Sequence, residues 1–452
     1  MDFYTFIDRI NSLIALPYIL LLLGTGIFLS IRLRFLPVRK LPHILKELLK
    51  GRKPGTGPGD ITPFQALTTE LAATIGTGNI AGVATAIFLG GPGAIFWMWM
   101  CAFFGMATKF CESFLAVKHR HVLKDGTISG GPMWYISKGL NSKWLAGFFA
   151  LSGALSAFGI GNMAQSNSVA LVLSSTWKIP EAVTGVSLAT LTALVILGGI
   201  RRIGRVTEIL VPFMSLMYCG ASLFILACNA TRIDDVFSLI ITHAFTPIAA
   251  SGGFAGALVA QAIRYGIIRG VFSNEAGLGS TPIAHAAAKT DSPLHQGLIS
   301  MSGVFFDTIV ICSMTAFVIL LFPDAWTSGE NSSSLTALAF SYGMPAFGKH
   351  IVTLSLAIFA FSTIIGWSYY GEKCIQYIFG FSAGSPYRLV YCLFVALGAT
   401  IQVKLVWNLS DILNASMALP NLIALLALNR SIIKSTEFRR EEGKVKMSKI
   451  KT

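Results

Sequence analysis

The chain has 452 residues, 54% of them hydrophobic and only 12% charged, with a mean hydropathy of +0.67, and so is far too apolar for a soluble globular protein. Its formal charge of +14 clusters in short segments between apolar runs. That pattern excludes nucleic acid as the partner and points to a lipid bilayer, with the charge setting topology.

The first residues, Met1 to Ser12, lack the basic stretch and small-residue cleavage site of a secretory signal, so the first apolar run is expected to be retained. Eleven runs are long and apolar enough to span: 13–31, 62–89, 92–118, 144–173, 180–200, 206–228, 252–288, 296–322, 350–378, 387–403 and 405–431. About 20 residues cross the ~30 Å hydrocarbon core. The expected fold class is therefore an all-α polytopic membrane protein with 11 transmembrane helices. With the N-terminus outside, 28 Lys and Arg fall on the cytoplasmic side and 7 outside, which orients the chain in a cell membrane with its C-terminus cytoplasmic. The first cytoplasmic loop, including "GRKPGTGPGD", reads as a basic linker, and Arg201, Arg202 and Arg205 form a second basic group.

The second run, Thr62 to Leu89, would measure about 42 Å as a straight helix and carries "IGTGN" inside it. The seventh, Gly252 to Ala288, carries "GVFSNEAGLGST". Both read as interrupted helices. With the first span set aside, they open two successive groups of five spans, so the second group is inverted relative to the first. The expected organisation is an extra N-terminal helix and basic linker over 1–61, a first five-helix repeat over 62–228, an inverted repeat over 229–431, and a basic tail over 432–452.

An interruption at mid-membrane frees amide hydrogens and carbonyl oxygens, which protein or ligand must satisfy. Freed carbonyls suit a hard monovalent cation, and freed N–H groups suit a carboxylate. A small zwitterion with Na⁺ meets both demands. Gly76 and Gly78 supply backbone freedom in the first break and Asn79 a side-chain oxygen, with small-residue packing as the structural alternative. Glu275 reads as a structural acid bonding the unwound backbone, or as a titrating group. Asp307 fits a cation site or simple helix pairing equally. In "AFSTIIGWSYYGEK", Ser362 and Thr363 offer two hydroxyls beside Trp367, one turn on; bonding back to their own helix is the alternative. Gln165, in a patch with Asn162, Ser166 and Asn167, either lines a pathway or glues helices.

The motifs "GTGNIAGVATAIFLGGPGAIFWMW", "GGPMWYI" and "GVFSNEAGLGSTPIAHAAA" make the chain similar, over nearly its whole length, to the alanine or glycine:cation symporter family. The resemblance implies Na⁺-coupled or H⁺-coupled uptake of alanine or glycine, on a leucine-transporter-like 5+5 inverted repeat preceded by one extra helix. It also implies a substrate site at Thr77, Gly78, Asn79, Gln165, Phe272, Ser273, Met301, Thr363 and Trp367. One Na⁺ would take the carbonyls of Ala72, Ile75 and Phe359 and the hydroxyls of Ser362 and Thr363. A second would take the Thr74 carbonyl, Asn79, Ser273 and Asp307. Glu70 departs from the small or neutral residue expected in the family and is left without a role.

Other readings are weaker on the residues. A different small solute, such as a nucleobase, needs different pocket residues, and a channel needs a continuous polar pore. The seven histidines form no H-E-x-x-H or similar pair for an enzyme and, most of them lying at expected loops or membrane edges, read as solvated, and the seven cysteines, without C-x-x-C spacing, read as small core residues. Nothing calls for an obligate protein partner.

Overall fold

The computed structural model describes residues 3–49, 57–123, 126–246, 255–401, 403–435 and 438, and these are almost entirely helical. Most of "GRKPGTGPGD", the start of the seventh run and most of the basic tail lie outside the described residues. The helix α1 (Phe3–Arg32) turns by 81° into α2 (Leu36–Leu49) through Arg34 and Phe35, both in the left-handed region at φ 54° and 55°. The expected linker is thus partly an amphipathic helix. Leu36 and Ile44 are buried while Arg39 faces out, the pattern of a helix lying along an apolar surface.

Next come α3 (Pro63–Thr74) and α4 (Val83–Gly90), which meet at 52° across the π-helical turn Gly78–Gly82. A capping box between Thr62 and Gln65, with Pro63 in the first turn, fixes where α3 starts. After α5 (Ala94–Lys118) and a short antiparallel hairpin of β1 (His121–Val122) and β2 (Ile128–Ser129) come α6 (Pro132–Gly139) and α7 (Lys143–Phe158). A second π-helical turn, Gly159–Met163, joins α7 to α8 (Ala164–Trp177). Then follow α9 (Glu181–Ile196), α10 (Gly199–Cys228), α11 (Ile233–Phe245) and α12 (Ala255–Asn274). The chain runs irregularly from Glu275 to α13 (Pro282–Ala286), then into α14 (Pro293–Val304), a third π-helical stretch (Phe305–Cys312) and α15 (Ser313–Leu321). The last elements are α16 (Pro323–Trp326), α17 (Ser332–Gly343), α18 (Gly348–Phe379), α19 (Gly384–Gly398) and α20 (Val403–Ile433).

Among the described residues six helices are long and apolar enough to span a bilayer, or eight if each bent pair is one span. The expected spans at 180–200, 252–288 and 387–403 appear as α9, α12 with α13, and α19. Those three are short, or interrupted and charged, with Arg264 and Arg269 in α12. The surface is inverted relative to a soluble protein, with Ile209 75%, Leu216 74% and Leu393 63% exposed, as suits side chains facing lipid. Polar groups go inward instead. Glu70, Lys109, Glu112, His285, Asp307 and Ser362 are all 0% exposed.

Cysteines only partly follow the expectation of core residues. Cys101, Cys111, Cys312 and Cys374 are buried, but Cys228 is exposed at the end of α10.

Candidate functional site

Both expected interruptions exist, and they meet. In the first, α3 ends at Thr74, and the Gly76 N–H is taken by Asn79 Oδ1 at 2.9 Å. The Thr77 N–H is taken by Gln165 Oε1 at 3.2 Å. Carbonyls beyond the turn are covered by hydroxyls from other helices: Thr315 donates to Asn79 O at 2.7 Å and Thr336 to Ile80 O at 3.0 Å. Polar side chains thus do what the missing helical turn would have done.

In the second, Glu275 stands at φ 57° and Gly277 and Gly279 at 95° and 79°, a left-handed sequence that glycine tolerates and that ends α12 sharply. Glu275 bridges the break through side chains, accepting from Trp367 Nε1 at 2.7 Å and Ser280 Oγ at 2.5 Å. The freed backbone N–H groups of Gly277 and Gly279 go instead to Glu112 Oε1, at 3.1 and 3.0 Å, with Asn421 Nδ2 at 2.6 Å on the same oxygen. The expectation that Glu275 bonds the unwound backbone is therefore corrected: Glu112, which the sequence reading passed over on an ordinary-looking helix, does so.

Asp307 joins the two breaks. Its Oδ1 accepts from Asn79 Nδ2 at 2.7 Å, and its Oδ2 from Ser273 Oγ at 2.7 Å and Thr308 Oγ1 at 2.8 Å. Simple helix pairing does not describe a carboxylate held by both interrupted spans. Cys312 belongs to the same group, 3.4 Å from Asn79 Nδ2 and 3.2 Å from Ser273 Oγ. Packing there is close: a Cβ on Gly78 would lie 3.2 Å from Phe272 Cδ1 and 3.2 Å from Ser273 Cα.

Beneath the first break lies a cluster of five oxygens. Ser362 Oγ is 3.1 Å from Ala72 O, 3.4 Å from Ile75 O and 2.7 Å from Phe359 O. Thr363 Oγ1 is 3.3 Å from Ile75 O and 3.2 Å from Phe359 O. These hydroxyls bond back to their own helix, as the alternative reading expects, and also reach carbonyls at the end of α3. Gly76 admits the approach, because a Cβ there would sit 2.4 Å from Thr363 Oγ1 and 3.2 Å from Gln165 Oε1.

The remaining expected residues divide. Gln165 reaches the first break and anchors its amide on Ile160 O at 2.9 Å. Its neighbours Asn162 and Asn167 are glue, donating to Tyr391 O at 2.8 Å and Ile401 O at 2.7 Å. Trp367 packs on Gly161, where a Cβ would fall 2.2 Å from the Trp367 Cβ. Met301 is fully buried in the core that also contains Phe272 and Trp367. The Thr74 hydroxyl bonds Glu70 O at 3.2 Å. Thr77 Oγ1 is buried without a hydrogen-bond partner, an orphan that a ligand would satisfy.

Glu70, without a role in the sequence, is the centre of a buried polar cluster. It faces Lys109 Nζ at 3.2 Å, Ser300 Oγ at 3.0 Å and His285 Nε2. Lys109 also donates to Thr281 Oγ1 at 2.8 Å. His285 is therefore not the solvated histidine expected. The cluster ties α3 to α5, α13 and α14. Glu70→Gln would strand the Lys109 charge, and removal of one partner from a buried pair costs about 3–5 kcal/mol. A large fall in detergent melting temperature is expected, partly restored by Glu70→Gln with Lys109→Met; equal stability of wild type and Glu70→Gln would contradict the pairing.

A polytopic helical protein whose two interrupted spans meet around carbonyls, hydroxyls and one carboxylate has the build of a secondary transporter. The chain belongs to the sodium:alanine symporter family, whose model matches residues 1–451. It is 51% identical to the sodium/alanine symporter AgcS of Methanococcus maripaludis, over 98% of this chain and 100% of that protein. It is 39% identical to the probable sodium/glutamine symporter GlnT of Bacillus subtilis, over 92% of this chain and 86% of that one. To the putative sodium/proton-dependent alanine carrier protein YrbD of the same organism it is 36% identical, over 97% and 93%. The family makes it a multi-pass membrane protein that carries an amino acid coupled to a cation.

Proposed function

We propose that this protein couples inward Na⁺ movement to uptake of a small amino acid, alanine or glycine, by alternating access. The observation that carries the reading is the convergence of Ser362 and Thr363 on Ala72 O, Ile75 O and Phe359 O at the break in the first interrupted span. Those five oxygens form the first Na⁺ site, charge-compatible because carbonyl oxygens at a half-helix C-terminus carry the negative end of the helix dipole. Asn79, Ser273 and Asp307, with the Thr74 carbonyl, form a second. The substrate carboxylate meets the Thr77, Gly78, Asn79 turn, where the Thr77 hydroxyl has no hydrogen-bond partner among the described residues. Its amine faces Phe272, Ser273 and Thr363, and Gln165, Met301 and Trp367 bound the pocket.

The proposed architecture is the 5+5 inverted repeat with eleven spans, over 62–228 and 229–431, preceded by an extra helix, with the N-terminus outside. The name of AgcS supports Na⁺ and alanine, and that of YrbD is the reason to test protons beside sodium. Scintillation-proximity binding of labelled alanine to purified protein in Na⁺ and in K⁺, at two pH values, tests the ion. Binding that requires Na⁺ at both pH values supports the reading; equal binding in K⁺ overturns it.

Trp367 sets the size limit in this account. Trp367→Ala should let amino acids larger than alanine compete for binding, whereas Trp367→Phe, which keeps an aromatic wall but not the N–H to Glu275, should widen the size range far less. If Trp367→Ala folds and still excludes larger amino acids, Trp367 is not the wall.

A further inference from the structure

A cavity of about 400 Å³ opens beside the start of α3, lined by Gly59, Asp60, Ile61, Gln65, Arg201, Arg205 and Lys289. Three cations and one carboxylate share it. The carboxylate is engaged, since Asp60 Oδ2 accepts from the Ile128 N–H at 2.8 Å. Among the described residues no Asp or Glu pairs with Arg201, Arg205 or Lys289, and all three are exposed. A concave surface where three cations face one carboxylate keeps a net positive charge and fits an anion, and guanidinium groups favour a phosphate oxygen pair.

The helix that supplies the arginines shows which anion. Only 33% of the apolar window of α10 is buried, the lowest of the six long helices. Arg201 and Arg205 head a single exposed stripe that continues through Ile209, Phe213 and Leu216, which are 75%, 57% and 74% exposed. These positions recur every three or four residues and so share one face. From Arg205 to Leu216 the stripe runs about 16 Å at ~1.5 Å per residue, close to half of the ~30 Å hydrocarbon core. A free phosphate would use only the basic end; a phospholipid matches the whole stripe, headgroup in the cavity and acyl chain along the apolar face.

We infer that this cavity and the adjoining face of α10 form a binding site for an anionic phospholipid. The cavity is walled by α10 on one side and by the entry to α3 on the other. Those two helices are already joined by Gln65 Nε2 to Glu208 Oε2 at 3.0 Å and by the hydroxyls of Thr69 and Thr207 at 3.3 Å. A headgroup bridging Arg201, Arg205 and Lys289 adds a third tie between α10 and the first half of the interrupted span. Anionic lipid thereby becomes a modulator of that half-helix's movement.

The test is native mass spectrometry of the full-length protein in detergent, titrated with phosphatidylglycerol or phosphatidylcholine. Arg201→Gln with Arg205→Gln is compared with Arg39→Gln with Arg202→Gln, which removes two exposed positive charges outside the cavity. The cavity pair should weaken phosphatidylglycerol binding roughly ten- to thirtyfold and leave phosphatidylcholine unchanged; the control pair should change neither, and Arg201→Lys with Arg205→Lys, which keeps the charge but not the paired N–H donors, should fall between wild type and the cavity pair. Equal phosphatidylglycerol binding by the cavity and control pairs would overturn the site, reducing the arginines to topological charges. Glycerol phosphate that binds as tightly as phosphatidylglycerol would overturn the lipid assignment in favour of a free anion. The readout needs no transport, so it stands apart from the proposed substrate and ion.

Discussion

Thr363→Val is expected to raise the Na⁺ concentration for half-maximal alanine uptake roughly 10- to 100-fold, the size of one lost hydrogen-bonding or coordinating contact to a charge. The substitution keeps the shape and removes an oxygen that lies 3.3 Å from Ile75 O and 3.2 Å from Phe359 O. Ser362→Ala should act in the same direction, because its hydroxyl reaches three carbonyls, those of Ala72, Ile75 and Phe359. At saturating Na⁺ Ser362→Ala should recover most of its uptake, since the proposed site gives that hydroxyl to the cation and not to the substrate. Thr363→Val should recover less, because the proposed site also turns the substrate amine toward Thr363. Measuring uptake against Na⁺ at fixed alanine distinguishes the two, and an unchanged Na⁺ titration for both variants would remove these hydroxyls from the cation site.

Gly76→Ala should be more damaging, lowering uptake on the order of 100-fold, as misplacement of binding groups by about 1 Å does. Its methyl would begin 2.4 Å from the Thr363 hydroxyl and 3.2 Å from Gln165 Oε1. Neither partner can withdraw, because Thr363 is a short side chain on a buried helix and Gln165 is anchored on Ile160 O at 2.9 Å. The first half-helix must therefore move away from α18, opening the oxygen cluster. Gly82→Ala is the control: a Cβ there meets nothing within 4 Å, and transport should persist. Comparable uptake by Gly76→Ala and Gly82→Ala, at equal expression, would show that close approach at residue 76 does not matter.

The interruptions were legible because glycine with polar residues inside a long apolar run has no cheap explanation in a bilayer. Such residues mark the break at Gly76 to Asn79 and the one beginning at Ser273 to Glu275, and the hydroxyl pair of α18 stands out because its spacing places Phe359, Ser362 and Thr363 on one face. Side chains that satisfy the breaks from elsewhere were much harder to see. Glu112 caps Gly277 and Gly279 from a helix with no local irregularity, and Cys312 reads as a small apolar residue until it is found beside Asn79 and Ser273. A buried acid within three residues of a buried lysine, as in Lys109 and Glu112, was the available signal, since charges inside a membrane span demand partners.

Glu70 and His285 show a different limit. They are 215 residues apart in the chain, and no local pattern links a glutamate in one interrupted span to a histidine just beyond the other. The π-helical geometry itself was not legible: "GNIAG" and "GIGNM" show glycine and a polar residue, and "FFDTIVIC" an acid in an apolar run, but none of these signals says that the helix widens rather than stops. Each nonetheless adjoins the candidate site: the first contains Asn79, the second ends two residues before Gln165, and the third holds Asp307, in keeping with the tendency of such bulges to mark functional positions.

The most direct measurement is uptake of radiolabelled alanine into proteoliposomes under an inward Na⁺ gradient, with K⁺ replacing Na⁺ and an imposed pH gradient as controls. Accumulation driven by the Na⁺ gradient alone, and lost in K⁺, is the predicted result. Accumulation that follows only the pH gradient, from protein shown to be folded, would contradict the assignment of the Ala72, Ile75, Phe359, Ser362 and Thr363 oxygens to Na⁺.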